Sequence, residues 1–555
     1  MEDFMPCQDV VYSETALDYI IGNYGGENYI QEFYNPDCYI RLDSLQAVIY
    51  QELPSVGSEM IEKYGYSAIP NVYGLMNEEA LEASGVLRIR RQPYVDLYGS
   101  GILIGLVDTG IDYTHEAFRN ADNTSRIVGI WDQTVQEGEG VGRFQYGQGY
   151  SREQLNQALQ SEDPYSVVPE RDESGHGTFL AGVAAGNENR SAEFSGVAPL
   201  SELVIVKCKQ AKQAYRDYYG IPDDVPAYQE NDIMAGIMYL LEVAKVANRS
   251  IVICVGMGTS MGNHSGASNL SVLMDRYMTY QGISIFTSAG NEGNARHHHQ
   301  IRQKDETINI NVERSMKGFM AQLWWATPGR LTLDLISPGG EELSNIRAVS
   351  GVRQQHHFTQ ENTDIEIYFG VSQGQTREQV VVFRFILPKS GIWKVRTHFE
   401  SDNPGFHMWL PIQQFLEHEV VFLEPSPDYT ICNPGTGANT MAIAAYDSSN
   451  GALYLQSGRG FTTKGDVKPD VAAPGVELTG PYPRGRYGSM TGTSVAAALA
   501  TGIGALFMEN AGGDGITGIA MREMFIQGAV PRGVPSPNTE WGFGIVDAYA
   551  SITNY

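Results

Sequence analysis

The feature that most restricts the fold is a series of short, continuous apolar runs that begins near residue 100. The runs lie at residues 102–107, 202–208, 251–256 and 283–288, and a helical pattern at 231–247 separates two of them. Strands that are buried on both faces and alternate with helices are typical of a parallel α/β sheet. We therefore predict an α/β domain built on a parallel sheet.

A different pattern fills residues 297–430. Segments such as RLTLDLIS and VVVFRFIL read as alternating strands separated by Pro and Gly turns, and no helical pattern lies between them. Such a block is typical of an all-β sandwich or jelly roll. Because the α/β pattern resumes near residue 439 and continues to the end, we predict that the β block is inserted into the α/β domain.

Composition argues against several classes of protein. The formal net charge of −27 disfavours nucleic-acid binding. No apolar stretch approaches the roughly 20 residues that a membrane helix needs, so no membrane span is expected. The N-terminus lacks a basic region followed by an apolar core, so no standard secretory signal is predicted. The five cysteines are scattered and form no CxxC pair, which favours neither a disulfide framework nor zinc.

Two polar residues follow buried strands of the predicted sheet. Asp108 comes directly after the run at 102–107, and Asn291 follows the run at 283–288 among glycines. Catalytic groups of open α/β sheets collect at the carboxyl ends of strands, and an amide there can donate to a developing oxyanion. Ordinary turn chemistry explains each residue equally well.

Two further polar residues stand at predicted helix starts. His176 lies between glycines before a small-residue helix, whose N-terminus disfavours the imidazolium form. An Asp partner acts in the opposite direction, so the combination suits a base that begins neutral. Ser494 precedes an alanine-rich helix, where it is either a helix cap or a nucleophile. Its own backbone N–H, free at a helix start, can be a second oxyanion donor.

The chain order Asp, His, Ser is the order found in subtilisin. Six segments, VDTGID, GHGTFLAGVAAG, SGVAP, SAGNEG, KPDVAAPGV and MTGTSVAAALATG, resemble the signature blocks of the subtilisin-like serine proteases, the subtilases. The resemblance implies a serine endopeptidase that acts on proteins or peptides and needs no cofactor. It implies that Ser494 is the nucleophile, His176 the general base, Asp108 the orienting acid and Asn291 an oxyanion donor.

The resemblance also implies a specificity pocket with two walls. The predicted wall residues, none of them a metal ligand, are Gly256, Met257 and Gly258 on one side and Ser288, Ala289 and Gly290 on the other. One departure from the family pattern concerns the helix after the nucleophile. Ala498 and Leu499 stand where subtilases usually have proline and often histidine, which puts the geometry of the helix start in question.

The N-terminal block is interpreted through the same resemblance. Residues 1–67 would be an α+β propeptide that chaperones folding, is cut off by the enzyme near Tyr66, Ser67 or Ala68, and then occupies the cleft. The catalytic domain would comprise residues 68–296 and 431–555, with residues 297–430 as the inserted jelly roll. The alternative is an N-terminal subdomain that is never removed.

Within the subtilases, the chain is most similar to the Csp germination proteases of clostridial spores. A propeptide, a β insert before the serine and no recognisable signal are common to both. Active members of that group cut the zymogen of a spore-cortex-lytic hydrolase, which implies a spore-associated or cytoplasmic protein. Other members have lost triad residues and act in germinant signalling. The alternative function is therefore a catalytically silent subtilase scaffold that binds or senses a partner.

Three consecutive histidines, at positions 297–299, are the remaining candidate for a metal site. Adjacent side chains on an extended chain point to alternate faces, and no Cys, Asp or Glu spacing completes a set of ligands. We predict no metal site, and expect these histidines to border the substrate cleft at the root of the insert.

Overall fold

The computed structural model of the chain describes residues 16–22, 27–36, 38–41, 46–52, 81–90, 97–136, 138–142, 144, 146–211, 213–325, 329–349, 353–371, 378–400, 405–513, 515–532 and 535–554. The chain divides into two compact units, Met1–Leu75 and Met76–Tyr555. The predicted cleavage positions Tyr66, Ser67 and Ala68 lie outside the described residues.

In the described residues of the N-terminal unit, a helix accompanies a small antiparallel sheet. The described elements are β1 (Ala16–Gly22), α1 (Glu27–Tyr34), β2 (Cys38–Arg41) and β3 (Gln46–Glu52). Strand β3 pairs with both β1 and β2, which gives the order β1-β3-β2. This arrangement agrees with the predicted α+β character of the block.

The second unit begins with alternating strands and helices. In chain order these are α2 (Val86–Arg90), β4 (Leu103–Asp108), β5 (Ile127–Asp132), β6 (Gln148–Ser151), α3 (Arg152–Gln160), α4 (Pro164–Val167), α5 (His176–Ala185), β7 (Glu202–Lys207), α6 (Gln213–Tyr219), α7 (Glu230–Ala247), β8 (Ile251–Val255), α8 (Asn269–Tyr277) and β9 (Ile283–Ser288).

A run of strands follows, and the α/β pattern then returns. The run comprises β10 (His298–Ile301), β11 (Asp305–Val312), β12 (Gly318–Trp325), β13 (Leu331–Ile336), β14 (Glu342–Arg347), β15 (Arg353–Phe358), β16 (Thr363–Val371), β17 (Gln379–Ile386), β18 (Gly391–Phe399), β19 (Phe406–Trp409) and β20 (Val420–Phe422). The last elements are β21 (Met441–Tyr446), β22 (Val471–Pro474), β23 (Leu478–Tyr482), β24 (Arg486–Met490), α9 (Thr493–Asn510), α10 (Gly518–Gly528) and α11 (Ala548–Asn554).

The central sheet confirms the predicted parallel α/β architecture. Its order is β22-β21-β9-β8-β4-β7-β5-β6, and every pairing is parallel except that of β5 with β6. Strands β4, β8 and β9 are neighbours, so their carboxyl ends meet at one edge of the sheet. The polar residues predicted to follow these strands are therefore brought to the same edge.

Helices α5 and α9 pack against each other and against strand β4. Both are built from small apolar residues, and nearly all of their side chains are buried. Helix α9 runs without interruption from Thr493 to Asn510, and Ala498 and Leu499 are buried within it. The departure from the family pattern at these two positions leaves the helix start intact.

Two antiparallel sheets form the inserted block. One has six strands in the order β10-β19-β12-β17-β16-β15, and the other has five in the order β14-β13-β18-β11-β20. The sheets enclose a second apolar core, in which Phe385 of one sheet and Trp393 of the other lie with ring centroids 5.7 Å apart. The strands are those of a two-sheet sandwich, and the jelly-roll connectivity stays a prediction.

A stack of aromatic rings joins this sandwich to the α/β domain. His264, from the loop after β8, lies flat against Trp409 of β19, with ring centroids 4.0 Å apart and an interplanar angle of 4°. Burial lowers the pKa of His264 to about 4, so the ring is neutral at physiological pH. Among the described helices, none combines the length and apolar character that crossing a membrane requires.

Candidate active site

The first predicted site residue, Asp108, ends strand β4 with its carboxylate buried. The side chain is only 1% exposed. Its Oδ1 accepts a hydrogen bond from the backbone N–H of Thr109 at 2.8 Å and lies 2.7 Å from Nδ1 of His176. A buried carboxylate needs such partners to offset the cost of leaving water. Asp108 is therefore held in one orientation against the imidazole.

The start of helix α5 fixes the imidazole. Gly175 adopts the left-handed conformation before His176, the first helical residue. The carboxylate of Asp172 then accepts hydrogen bonds from Gly175 N, Thr178 N and Thr178 Oγ1 at 2.7–2.8 Å. These donors belong to the first turn of helix α5, so Asp172 fixes the position of that turn.

Asp172 also reaches the strand that carries Asp108. Its Oδ1 accepts a hydrogen bond from Thr109 Oγ1 at 2.8 Å, and that hydroxyl oxygen accepts one from Gly177 N at 2.9 Å. Sequence reasoning missed this residue, because Asp172 belongs to a charged stretch that resembles a solvated loop. The available signal was its position four residues before His176, where it can cap the helix.

The protonation of His176 reflects opposing influences. Burial lowers its pKa, while the charge and hydrogen bond of Asp108 and the charge of Asp172 raise it, and the net pKa lies above the ordinary histidine value. The carboxylates thus stabilise the imidazolium form relative to the neutral one. Such a base gains a proton readily from a neighbouring hydroxyl.

Ser494 presents that hydroxyl. It is the second residue of helix α9, is 8% exposed, and places Oγ 3.0 Å from Nε2 of His176. The N-cap residue of the helix is Gly492, so Ser494 is not its N-cap. Backbone N–H groups in the first turn have no acceptor within the helix, which leaves Ser494 N as a donor beside Oγ.

Asn291 turns its amide nitrogen toward the space beside Gly492 and Ser494. Its Oδ1 accepts hydrogen bonds from Thr493 N at 3.1 Å and from Thr493 Oγ1 at 3.0 Å, which orients the side chain. A Cβ atom built on Gly492 would lie 3.6 Å from Nδ2 of Asn291 and 3.9 Å from N of Ser494. The two donors therefore converge on the space beside Gly492.

The predicted pocket walls line the cleft that contains Ser494, with one exception. The cleft has a volume of about 990 Å³, and Gly256, Met257, Gly258, Ser288 and Gly290 are among its lining residues. Ala289 is fully buried and does not line it. Successive side chains of an extended segment point to opposite sides, so Ala289 faces away between Ser288 and Gly290.

The three consecutive histidines are buried, and each contacts a different group. His297 Nδ1 lies 2.8 Å from Oε2 of Glu292, while His298 Nε2 lies 3.0 Å from Nδ1 of His407. His299 Nε2 lies 2.8 Å from Oε1 of Glu306. Among the described residues, no group of three or more His, Cys, Asp or Glu is arranged to hold a metal ion.

Comparison with known proteins identifies the family. The model of the subtilase family matches residues 99–364 and 423–544. These segments contain Asp108, His176, Asn291 and Ser494, and together they make up most of the chain. The chain belongs to the subtilase family.

Individual relatives agree with this assignment. The structure of the Clostridium perfringens CspB protease is similar with a TM-score of 0.76 and 28% identity, over 85% of this chain and 96% of that chain. The C5a peptidase of Streptococcus pyogenes serotype M1 is 22% identical over 438 residues, 73% of this chain. Subtilisin-like protease SBT2.2 of Arabidopsis thaliana is 29% identical over 161 residues, which are 25% of this chain and 18% of that protein. The chain spans only 34% of the C5a peptidase.

We predict that Asp172→Asn lowers the pKa of His176. The substitution removes a negative charge that favours the imidazolium form, so the imidazole should lose its proton at lower pH. The measurement is an NMR titration of the His176 ring in both proteins. Glu173→Gln is the matched control, because this neighbouring carboxylate is exposed to solvent. An unchanged His176 titration in Asp172→Asn would contradict the prediction.

Proposed function

We propose that this chain is a serine endopeptidase in which Ser494 attacks the peptide bond. The observation that carries the proposal is the continuous contact from Asp108 through His176 to Ser494, at 2.7 Å and 3.0 Å. Three separate elements, β4, α5 and α9, supply these side chains, so local turn or cap chemistry does not account for their meeting. Membership of the subtilase family supports the same reaction.

The first chemical step transfers one proton and forms one bond. His176 Nε2 takes the proton from Ser494 Oγ as the oxygen attacks the carbonyl carbon of the substrate. Asp108 holds the tautomer with a proton on Nδ1 and stabilises the positive charge that the ring gains. Asn291 Nδ2 and Ser494 N donate to the oxygen as it becomes negative.

The later steps release the two products and restore His176 and Ser494. The imidazolium gives its proton to the leaving amine nitrogen, the carbon–nitrogen bond breaks, and the acyl group stays on Ser494 Oγ. Water then attacks the ester carbon while His176 Nε2 takes a proton from that water; the bond to Ser494 Oγ breaks, His176 gives that proton to Oγ, and the acid product leaves. His176 thus acts first as a base and then as an acid in both the acylation and the hydrolysis of the acyl-enzyme.

We further propose that the enzyme processes its own chain near residues 66–68 and that its substrate is the zymogen of a spore-cortex-lytic hydrolase. Support comes from the similarity to the CspB protease, which extends over 85% of this chain. A helix and antiparallel sheet in the N-terminal unit suit a folded propeptide.

The test of self-processing is the intact mass of the purified chain beside that of Ser494→Ala. We expect the wild type to give two pieces, cut near residues 66–68, and the variant to stay whole at 61.0 kDa. Loss of the nucleophile should reduce turnover by several orders of magnitude. If both proteins stay whole, the silent scaffold becomes the better account.

We predict that Gly492→Ala lowers kcat by about 100-fold with little change in KM, the loss typical of one oxyanion donor. The added methyl group would occupy the space on which Asn291 Nδ2 and Ser494 N converge. Steady-state kinetics on a peptide substrate measure the effect, with Ser489→Ala as an exposed nearby control. A wild-type kcat in Gly492→Ala would contradict this placement of the oxyanion.

A further inference from the structure

The first pocket wall continues into a segment that is hydrogen-bonded to the inserted sandwich. Beyond Gly258, the hydroxyl of Ser260 donates to the backbone oxygen of Leu410 at 2.6 Å. Two residues later, the N–H of Gly262 donates to Oε1 of Gln322 at 2.9 Å. The inserted sandwich is thus hydrogen-bonded to the segment that follows the first pocket wall, after the end of strand β8.

The second wall is joined to the sandwich in the same way. Glu292 follows Asn291 directly and is 6% exposed. Its Oε1 accepts a hydrogen bond from Gln413 N at 3.1 Å, and its Oε2 lies 2.8 Å from Nδ1 of His297. His297 enters the insert and Gln413 belongs to a later segment of it, so one buried carboxylate holds two parts of the insert against the oxyanion loop.

The parts of the insert that reach the two walls are neighbours. Strands β12 and β19 pair with Gln322 opposite Trp409, so the segment that leaves β19 at Leu410 begins beside Gln322. Residues of both lie in the same cleft as Ser494: Gln322 and Trp324 from β12, and the stretch 411–415 after β19. The insert therefore forms one end of this cleft.

The side chains that the insert contributes to that end are uncharged, and the amides of Gln413 and Gln414 are exposed there beside two aromatic rings. Gln322 Oε1 already accepts from Gly262 N and from Trp324 Nε1, and both oxygens of Glu292 have partners. No lysine or arginine is present among the described residues that line the cleft. The rings of Trp324 and Phe415, both partly exposed, are the apolar surface that remains for a ligand.

We propose that the inserted sandwich is part of the substrate-binding site. Trp324 and the stretch 411–415 close the outer end of the specificity pocket and select substrates with an uncharged, apolar side chain before the bond that is cut. This inference rests on the proposed endopeptidase function. An acidic side chain would be disfavoured there, because it would lose water without gaining a positive partner.

The experiment compares kcat/KM over peptides that differ only in the residue before the cut, with Phe, Leu, Ala or Glu there. In the full wild-type chain we expect Phe and Leu to be preferred and Glu to be poorest. Phe415→Ala and Trp324→Phe should each reduce kcat/KM for the Phe peptide about tenfold relative to the Ala peptide, a typical cost of lost apolar contact in a pocket.

Tyr368→Ala is the matched control, because Tyr368 is an aromatic residue of the same sandwich that is 42% exposed and does not line the cleft. A changed preference in the two cleft variants, with the control like wild type, supports the proposal. Equal changes for all four peptides, or no change, overturn it while the endopeptidase function stands. If the wild-type chain cuts no peptide or protein at all, the proposed function fails and this inference fails with it.

Discussion

The hydrogen bonds of two buried carboxylates, Asp108 and Asp172, hold the active site together. Asp108 ends the central strand β4, and Asp172 caps helix α5 while also binding Thr109 of that strand end. A buried carboxylate without partners is costly, so this network favours one arrangement of strand and helix. The position and raised pKa of His176 both follow from it.

The rest of the site is attached to this frame by packing. Helix α9 lies against α5, which brings Ser494 Oγ to His176 Nε2. Thr493, one residue earlier, binds Asn291 Oδ1 and so orients the amide nitrogen. Glu292 then links the same loop to the insert through Gln413 and His297. A chain of short contacts thus connects the end of strand β4, Ser494, Asn291 and the sandwich.

Much of this arrangement could be predicted from the sequence, since local patterns encode it. Strands β4, β7, β8 and β9 lie within a residue or two of the continuous apolar runs, because full burial leaves an unbroken pattern. The meeting of Asp108, His176 and Ser494 was suggested by their positions at strand ends and helix starts. Asp172 was missed because it lies in a charged stretch that resembles a solvated loop, although its position four residues before His176 suits a helix cap.

Long-range contacts explain the other differences. Nothing in the local sequence indicates that Gln322 would meet Gly262, since sheet pairing within the insert sets that approach. Ala289, predicted as a wall residue, is fully buried and is not among the residues that line the cleft, because membership of a wall segment does not fix which way each side chain points. Local patterns thus predicted the elements and the residues that meet in the candidate site, whereas the end of the cleft needed the three-dimensional structure.

The most direct test of the central claim is whether Ser494 is chemically activated by its neighbours. The purified chain would be treated with diisopropyl fluorophosphate, and the modified residue located by peptide mass spectrometry at several pH values. We expect one adduct, on Ser494, whose rate of formation rises with pH as His176 loses its proton and which is absent in His176→Ala. An unmodified Ser494, or equal modification of the exposed Ser489, would contradict it.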